Sequence, residues 1–245
     1  MSPAFILATD LDGTFLGGTE DERRRLYDLV ESRRDELLLV FVTGRDLPFI
    51  RTLCSDTMVP WPDYVIGDVG TTIAGGPDIA PLEELEAPIA AAWSARGAAV
   101  RALLDGAPGL SLQPTPFRYR VSYDYDPAAF DPALVPQVEA RGFDVLISAD
   151  RFLDVLPPGI AKGPPLLRLL DHLALDRARV LVAGDTLNDL SLFETGLAGV
   201  AVGNSEPALK QRLGTRETVY HSQGDGAAGI LEAIHHLQLL PEFTP

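Results

Sequence analysis

Two pairs of carboxylates come at the ends of short apolar runs in this sequence, and they are Asp10, Asp12, Asp185 and Asp189. Carboxylates that lie close together repel each other unless a cation intervenes, and oxygen ligands of this type suit octahedral Mg²⁺. Either pair alone could belong to a surface turn or a helix cap. Because the same pattern occurs twice, we expect the four side chains to form one oxygen-rich metal site.

Two further segments could bind an anion beside that site. Thr43, Gly44 and Arg45 follow another apolar run, and the hydroxyl and backbone amides of such a loop can hold phosphate oxygens near a helix start. Lys162 opens a helical pattern and could neutralise a phosphate group. A Thr-Gly pair is uninformative by itself, and most lysines are solvated surface residues. These segments indicate phosphate chemistry when they are taken together, in the order in which Asp10, Thr43, Lys162 and Asp185 occur along the chain.

Apolar runs and amphipathic segments alternate along the chain and would bring these groups together. The strands that we predict are residues 4–9, 37–43, 64–66, 180–183 and 200–202, and the helices are 20–34, 166–175 and 227–237. Continuous apolar runs are typical of buried parallel strands, whose carboxyl ends meet at one edge of an open α/β sheet. The predicted fold class is therefore α/β, with a doubly wound, Rossmann-like parallel sheet as its core.

The segment between residues 81 and 155 departs from that alternation. An Ala-rich helix is predicted over 82–104, and strands are predicted over 110–113, 118–126 and 144–148. The second of these strands alternates strictly, so that tyrosines occupy one face while Arg120 and Ser122 occupy the other. We predict a small α+β domain at 81–155, inserted into a core formed by 1–80 and 156–245.

The charge balance restricts the partners of this protein. Its 245 residues include 20 Lys and Arg and 35 Asp and Glu, which gives a net charge of 20 − 35 = −15. Such a charge repels nucleic acids and anionic membranes, so we expect neither as a partner. The sequence shows no signal-peptide pattern, a single cysteine and no membrane-length apolar run. We therefore expect a cytoplasmic protein, and we expect it to act as a monomer.

Taken in order, the motifs DLDGT from Asp10, TGR from Thr43, KG from Lys162 and GDTLND from Gly184 resemble the four motifs of the haloacid dehalogenase superfamily. The insertion between the second and third motifs resembles the cap domain of its sugar-phosphatase branch. Other segments are similar to the sucrose-phosphate phosphatase family and its mannosylfructose-phosphate phosphatase relatives, namely PDYVIGDVGTTI, RVSY, LDVLP, LSLFET and GILEAIHHL. The sequence departs from that family's pattern at three positions outside the catalytic set, which are Thr72, Arg120 and Ala161.

The resemblance implies a role for each predicted site residue. Asp10 would be the nucleophile that forms an aspartyl-phosphate, and Asp12 would protonate the leaving oxygen and later activate water. Mg²⁺ would be held by Asp10, the Asp12 carbonyl oxygen and Asp185, while Asp189 would support the metal through water or orient Lys162. The groups that would bind the substrate are Thr43, Gly44, Arg45, Arg120, Lys162 and Asn188.

The implied reaction is the Mg²⁺-dependent hydrolysis of a sugar phosphate monoester, and the implied first choice of substrate is sucrose 6-phosphate. Mannosylfructose-phosphate or another glycosyl phosphate is an alternative. A phosphomutase and a non-catalytic sugar-phosphate binder are more distant alternatives, although such a binder is expected to lack Asp10 or Asp12. In the cap, Arg120 and Ser122 would meet the sugar hydroxyls, unless Arg120 is solvated or pairs with a carboxylate of the cap.

Overall fold

The core of the protein is an eight-stranded sheet, seen in a computed structural model that describes residues 3–240. Its strands are β1 (Phe5–Thr9), β2 (Leu37–Val42), β3 (Tyr64–Gly67), β4 (Thr72–Gly75), β5 (Ala80–Pro81), β10 (Val180–Gly184), β11 (Ala198–Ala201) and β12 (Val219–His221). The spatial order is β12-β11-β10-β1-β2-β3-β4-β5, and the strands from β12 to β3 are parallel. The predicted α/β core is confirmed, with an antiparallel edge at β4 and β5 that the sequence pattern did not indicate.

Helices cover both faces of this sheet. They are α1 (Glu20–Ser32), α2 (Leu47–Asp56), α6 (Gly163–His172), α7 (Leu190–Phe193), α8 (Pro207–Leu213) and α9 (Gly226–His236). The apolar residues of α1, α2 and α9 pack with one set of inward-pointing strand residues, and those of α6, α7 and α8 pack with the other set. Because both faces are buried, β1 and β2 are continuous hydrophobic runs without alternation.

Side-chain caps determine where the helices near the carboxyl edge begin. Thr19 and Glu22 form a capping box at α1, in which each side chain accepts a hydrogen bond from the backbone N–H of the other residue. The Asp46 carboxylate accepts from the backbone N–H of Phe49 at 2.8 Å and so caps α2. The second cap places the start of α2 directly after the loop Thr43–Arg45.

A second, smaller sheet forms the cap over this edge of the core. Its four antiparallel strands have the order β6-β7-β9-β8, with β6 at Leu110–Leu112, β7 at Val121–Tyr125, β8 at Asp144–Ser148 and β9 at Phe152–Leu156. The helices of this part of the chain are α3 (Glu83–Trp93), α4 (Gly97–Leu104) and α5 (Leu134–Glu139). Trp93, Val100, Tyr123 and Val155 belong to one apolar cluster that is separate from the two clusters of the core.

The predicted continuous helix over residues 82–104 is wrong, because the chain breaks into α3 and α4. Ser94 and Ala95 have φ values of 50° and 54°, and a right-handed helix cannot continue through that left-handed conformation. The break has a packing reason. Leu85 and Ile89 of α3 pack against the core, whereas Trp93 and α4 pack against the cap sheet.

The predicted strand over residues 118–126 is shorter in the structure, and it begins at Val121. Val121 is the first residue that pairs with β9, so the residues before it lack a ladder partner among the described strands. The predicted alternation is confirmed, since Val121 and Tyr123 are buried in the cap cluster. The sequence pattern missed β9, which lies between β7 and β8 and carries Asp154. Within residues 3–240, no helix combines the length and apolar character needed to cross a membrane.

Candidate active site

Adjacent parallel strands bring Asp10 and Asp185 to the same edge of the core sheet. β1 and β10 pair in a register that sets Thr9 opposite Ala183. The backbone N–H of Asp10 donates to the carbonyl oxygen of Ala183 at 2.9 Å. This bond extends the β1–β10 hydrogen-bond ladder one residue past the end of β1. Each carboxylate follows its strand directly, so the two side chains meet beyond the strand ends, as the sequence predicts.

A sharp turn after Asp10 brings the backbone against Asp185. Gly13 has a φ of +79°, and a Cβ atom at this position would lie 2.2 Å from Asp185 Oδ2. Only glycine therefore fits both the conformation and the space. The next residue, Thr14, donates from its hydroxyl to Asp185 Oδ1 at 2.8 Å, and Asn204 donates from Nδ2 to the Gly13 carbonyl oxygen at 2.9 Å. These bonds hold the Asp185 carboxylate beside Asp10.

Lys162 lies at the centre of the site and is fully buried. Its ammonium group donates to Asp10 Oδ1 at 2.6 Å, to Asp189 Oδ1 at 2.5 Å and to Asn188 Oδ1 at 2.9 Å. Burial alone would lower the pKa of Lys162, but the neighbouring carboxylates of Asp10 and Asp189 raise it, and the lysine therefore stays charged. The ammonium group thus joins the first, third and fourth motifs of the sequence.

When ionised, the three carboxylates of the site carry more negative charge than Lys162 can balance. Burial raises the pKa of Asp10 well above its usual range, with Lys162 acting in the opposite direction. Burial, assisted by Asp189, raises the pKa of Asp185 to about 7. If all three carboxylates were ionised, they and the ammonium group would leave a charge of −3 + 1 = −2 in a buried space, and the raised pKa values of Asp10 and Asp185 reflect the cost of burying this charge. A divalent cation would remove this excess charge.

The donor set fits such a cation. One carboxylate oxygen from each of Asp10, Asp185 and Asp189 lies within 4.8 Å of the others, and all three residues are buried. Oxygen-only ligands favour Mg²⁺ over softer metals. Asp189, however, already accepts from Lys162 with one oxygen and from the backbone N–H groups of Asp185 and Thr186 with the other. This bonding favours a role for Asp189 in orienting Lys162 rather than direct metal coordination.

Asp12 is turned away from that cluster and toward Arg45. Its two carboxylate oxygens accept from Nε and Nη2 of Arg45 at 2.8 and 2.9 Å, which is a bidentate ion pair. Both side chains are about half exposed and line the cavity above Asp10. Arg45, which is predicted to contact the substrate, has Asp12 as its partner in this structure.

Thr43 and Gly44 lie beside the same cavity. Thr43 is buried, and its hydroxyl oxygen accepts from the backbone N–H of Arg45 at 3.1 Å. Gly44 and Asn188 line the cavity wall together with Thr186. Of the predicted phosphate-binding groups, Gly44, Arg45 and Asn188 therefore line the cavity with Asp10, whereas Thr43 and Lys162 are buried next to these residues.

The opposite wall of the cavity comes from the cap. Arg120 lies between the two domains. Its Nη1 donates to Asp154 of the cap at 2.9 Å. Its Nη2 faces the core, where it lies 3.0 Å from Asp68 and donates to the Gly44 carbonyl oxygen at 3.1 Å. The cavity measures about 550 Å³, a size that accommodates a small ligand. Sequence reasoning left open whether Arg120 pairs with a cap carboxylate, and in the structure it does.

Comparison with known proteins identifies the family. The family model for sucrose-6F-phosphate phosphohydrolase matches residues 3–238. The chain belongs to this family. It is therefore a sugar-phosphate phosphohydrolase of the haloacid dehalogenase superfamily, as its four motifs and its cap indicated.

Several members and relatives of the family can be compared over nearly all of the chain. A mannosylfructose-phosphate phosphatase from Agrobacterium fabrum is 31% identical over 257 residues, which cover 98% of this chain and 100% of that protein. A crystal structure of the sucrose-phosphatase from Synechocystis sp. PCC6803 in complex with sucrose and phosphate has a TM-score of 0.86 and 29% identity, covering 96% of this chain and 98% of that one. A glucosylglycerol-phosphate synthase from Pseudomonas anguilliseptica is 42% identical over 236 residues, which cover 96% of this chain but 31% of the synthase.

Sequence reasoning missed several residues of this phosphohydrolase site. Thr14 and Asn204 hold the Asp185 side of the site, and Asp68 and Asp154 hold Arg120. Thr14 could have been found, because it belongs to the DLDGT motif. Asp154 could have been found from the alternation of β9, in which the neighbouring Leu153 and Val155 are apolar. Asp68 could have been found as well, because it follows the apolar run of β3 within the segment PDYVIGDVGTTI. Asn204 carries no local signal.

We expect Lys162→Met to destabilise the protein by about 3–5 kcal/mol, because removing one partner of a buried ion pair leaves the other partner's charge uncompensated. The free energy of unfolding would be measured by urea denaturation. Lys210→Met is the matched control, since the Lys210 ammonium group donates to one carbonyl oxygen, that of Gly203, at 2.6 Å. Its expected cost is about 0.5–1.5 kcal/mol. Equal costs for the two variants would contradict the charge pairing described for Lys162.

Proposed function

We propose that this phosphohydrolase hydrolyses the phosphate monoester of a small glycoside in a Mg²⁺-dependent reaction that passes through an aspartyl-phosphate on Asp10. The main support for this proposal is the position of the Asp10 carboxylate, which lines a cavity of about 550 Å³. Lys162 Nζ lies 2.6 Å from this carboxylate, and polar side chains of the cap form another wall of the cavity. The base of the cavity suits a phosphate group, and the cap wall suits a polar alcohol.

In the first half of the reaction, a carboxylate oxygen of Asp10 attacks phosphorus while the bond between phosphorus and the sugar oxygen breaks. Asp12 gives its proton to the departing oxygen, so it must be protonated and released from Arg45 at that moment. In the second half, Asp12 takes a proton from water, which attacks the aspartyl-phosphate and restores Asp10. The products are the free glycoside and inorganic phosphate.

Bound Mg²⁺ would neutralise the repulsion between the Asp10 carboxylate and the phosphate dianion. The chain would hold it with Asp10, Asp185 and the Asp12 carbonyl oxygen. Thr43 and the backbone of Gly44 would bind phosphoryl oxygens. Lys162 would contribute its positive charge and would bind a phosphoryl oxygen directly by giving up one of its three present hydrogen bonds.

Asn188 would bind the phosphoryl group through its amide nitrogen. Its carbonyl oxygen already accepts from Lys162 and from the hydroxyl of Thr186 at 2.7 Å. The Nδ2 group is therefore the part of this side chain left to donate to a phosphoryl oxygen.

The alcohol part of the substrate would contact Arg120. The two terminal nitrogens of this side chain have partners, but Nε is buried without a hydrogen-bond partner among the described residues. A buried donor of this kind is commonly satisfied by a ligand or a water molecule. Arg120 lines the cavity on the cap side, where sugar hydroxyls would lie when the phosphate is near Asp10.

Two glycoside phosphates are specific candidates. Sucrose 6-phosphate is supported by the family and by the crystal structure of a similar sucrose-phosphatase with sucrose and phosphate. Glucosylglycerol phosphate is supported by the 42% identity to a glucosylglycerol-phosphate synthase, which exceeds the 29% identity to that sucrose-phosphatase. It is also a phosphate monoester of a glycoside. We place glucosylglycerol phosphate first, because the cap residue Arg120 also departs from the pattern of sucrose phosphatases.

A panel of phosphate esters tests this proposal. Phosphate release would be measured with glucosylglycerol phosphate, sucrose 6-phosphate, mannosylfructose-phosphate and p-nitrophenyl phosphate, each with Mg²⁺ and with excess chelator. We expect the highest kcat/KM with glucosylglycerol phosphate. Activity on the aryl ester without activity on any glycoside phosphate would contradict the proposed substrate class.

We expect Arg120→Ala to raise KM for the preferred glycoside phosphate by about tenfold or more, because the substitution deletes a buried, charged side chain that would contact the sugar. KM for p-nitrophenyl phosphate should change by less than about twofold, because a small aryl ester does not reach the cap. Both constants come from initial rates of phosphate release. Equal changes for the two esters would mean that Arg120 does not contact the sugar.

A further inference from the structure

Arg120 connects the cap to the core through two carboxylates of different origin. Asp154 belongs to β9 of the cap, whereas Asp68 belongs to the loop that follows β3 of the core. The guanidinium group pairs with both, and the Arg120 and Asp154 side chains are nearly inaccessible. Asp154 lies on the cap with Arg120. The ion pair with Asp68 therefore depends on how the two domains approach each other, as does the hydrogen bond to the Gly44 carbonyl oxygen.

The loop that carries Asp68 also contacts the phosphate-binding segments. The backbone N–H groups of Asp68 and Val69 donate to the carbonyl oxygens of Arg45 and Thr43, at 3.0 and 3.1 Å. The next residue, Gly70, has a φ of +94°, and a Cβ atom there would lie 2.2 Å from the Ala161 carbonyl oxygen, next to Lys162. This loop therefore joins Arg120 to both sides of the phosphate site.

The Asp68 carboxylate is held in one orientation. One oxygen pairs with Arg120, and the other accepts from the Thr72 hydroxyl at 2.7 Å. Burial raises the pKa of Asp68, and the Arg120 guanidinium acts in the opposite direction. Arg120 therefore stabilises the ionised form of Asp68. Its guanidinium group forms one ion pair with the core, through Asp68, and one with the cap, through Asp154.

We propose that Asp68 is a positioning residue that holds Arg120 and the cap in place for phosphate esters whose alcohol reaches the cap. This inference deepens the proposed function, since it rests on a glycoside phosphate as substrate. The effect of Asp68 is selective because it acts through Arg120, whose unpartnered Nε is the group proposed to contact the sugar. The contact of Arg120 with Gly44 uses the carbonyl oxygen of that residue and not the backbone N–H proposed for the phosphate. A small ester that needs only Asp10, Lys162 and the phosphate-binding backbone does not depend on this pair.

Asp68→Asn is the variant that tests the proposal. Asparagine keeps the shape of the side chain and an oxygen that can accept from Thr72, and it tolerates the left-handed φ of 53° at this position. Asp154 still balances the charge of Arg120, so the fold should persist. We expect KM for the preferred glycoside phosphate to rise by about tenfold or more, since a buried charge pair between the domains is lost. Both kinetic constants for p-nitrophenyl phosphate should stay within about twofold of the wild type.

Glu86→Gln is the matched control. Glu86 is also a buried carboxylate paired with an arginine, since both oxygens of its carboxylate accept from Arg118, at 2.6 and 2.9 Å. A glutamine can keep the bond from the backbone N–H of Ile73 to this side chain. Because neither Glu86 nor Arg118 lines the cavity, KM for the glycoside phosphate should change by less than about twofold.

A double-mutant cycle separates the proposed role from a general structural one. In the Arg120→Ala background, the Asp68→Asn substitution should add less than about twofold to KM, because the two residues act as a pair. Additive effects, equal changes for both esters, or an equal effect of Glu86→Gln would overturn the proposal. An unchanged KM in Asp68→Asn would overturn it as well. The results above would overturn the role of Asp68 while leaving the proposed function intact. By contrast, a wild-type protein that releases no phosphate from any glycoside phosphate would overturn the proposed function and this inference together.

Discussion

Asp10→Asn should lower the rate of phosphate release by about a thousandfold or more, because an amide is not a nucleophile toward phosphorus and cannot be an anionic metal ligand. The structure also predicts that the variant folds. An asparagine oxygen can still accept from Lys162, and the ammonium group keeps its contact with Asp189 at 2.5 Å. The measurements are phosphate release under saturating substrate and the free energy of unfolding in urea.

Asp171→Asn is a suitable control for this experiment. Asp171 is an exposed carboxylate in the last turn of α6, at the end of the helix opposite Lys162, and it pairs with Arg177 at 2.7 Å. It does not line the cavity. Its replacement should leave the rate within about twofold of the wild type. A wild-type rate in Asp10→Asn, or full activity of the wild type in excess chelator, would remove the central proposal of an aspartyl-phosphate formed with Mg²⁺.

Asp12→Asn should lower turnover by about 10²–10⁴-fold while substrate binding stays largely intact, because the variant loses proton transfer in both half-reactions. The backbone carbonyl oxygen of residue 12, the proposed metal ligand, is unchanged by this substitution. The bidentate pair with Arg45 is lost, but both partners are about half exposed, so the stability of the fold should change little.

p-Nitrophenyl phosphate separates the two roles proposed for Asp12. Its leaving group needs little protonation, so Asp10 should become phosphorylated in Asp12→Asn, whereas water activation in the second half-reaction should fail. We expect an initial release of nitrophenol followed by a stall, with the phosphoryl group detected on the protein by intact-mass spectrometry. If the variant instead loses affinity for Mg²⁺ while turnover at saturation is unchanged, Asp12 is a metal ligand and its acid-base role is wrong.

The ion pair between Arg45 and Asp12 would have to open during the proposed reaction. Arg45 neutralises Asp12 in this structure, yet Asp12 must leave that pair before it can give a proton to the leaving oxygen. The phosphate group of a substrate would bind beside Thr43 and Gly44 and would compete with Asp12 for the same guanidinium group. Under the proposed mechanism, the arrival of an anionic substrate would therefore release Asp12.

The sequence alone determined the core fold and the main chemical groups of this protein. Apolar runs followed directly by Asp10, Thr43 and Asp185 predicted parallel strands whose carboxyl ends meet, and β1, β2 and β10 do meet in this way. The strict alternation around Tyr123 predicted which face of β7 is buried in the cap. These features are local and periodic, and general rules of strand geometry convert them into spatial neighbours.

Only the tertiary structure decided how those groups are paired. Arg45 binds Asp12, Asp189 binds Lys162, and Arg120 binds Asp68 across the two domains. The partners in such pairs lie far apart in the chain, and no local pattern specifies which of several carboxylates an arginine meets. The break between α3 and α4 has the same origin, since an Ala-rich sequence favours one helix while packing on two different domains requires two. Long-range packing, rather than propensity, therefore set the details on which the proposed selectivity depends.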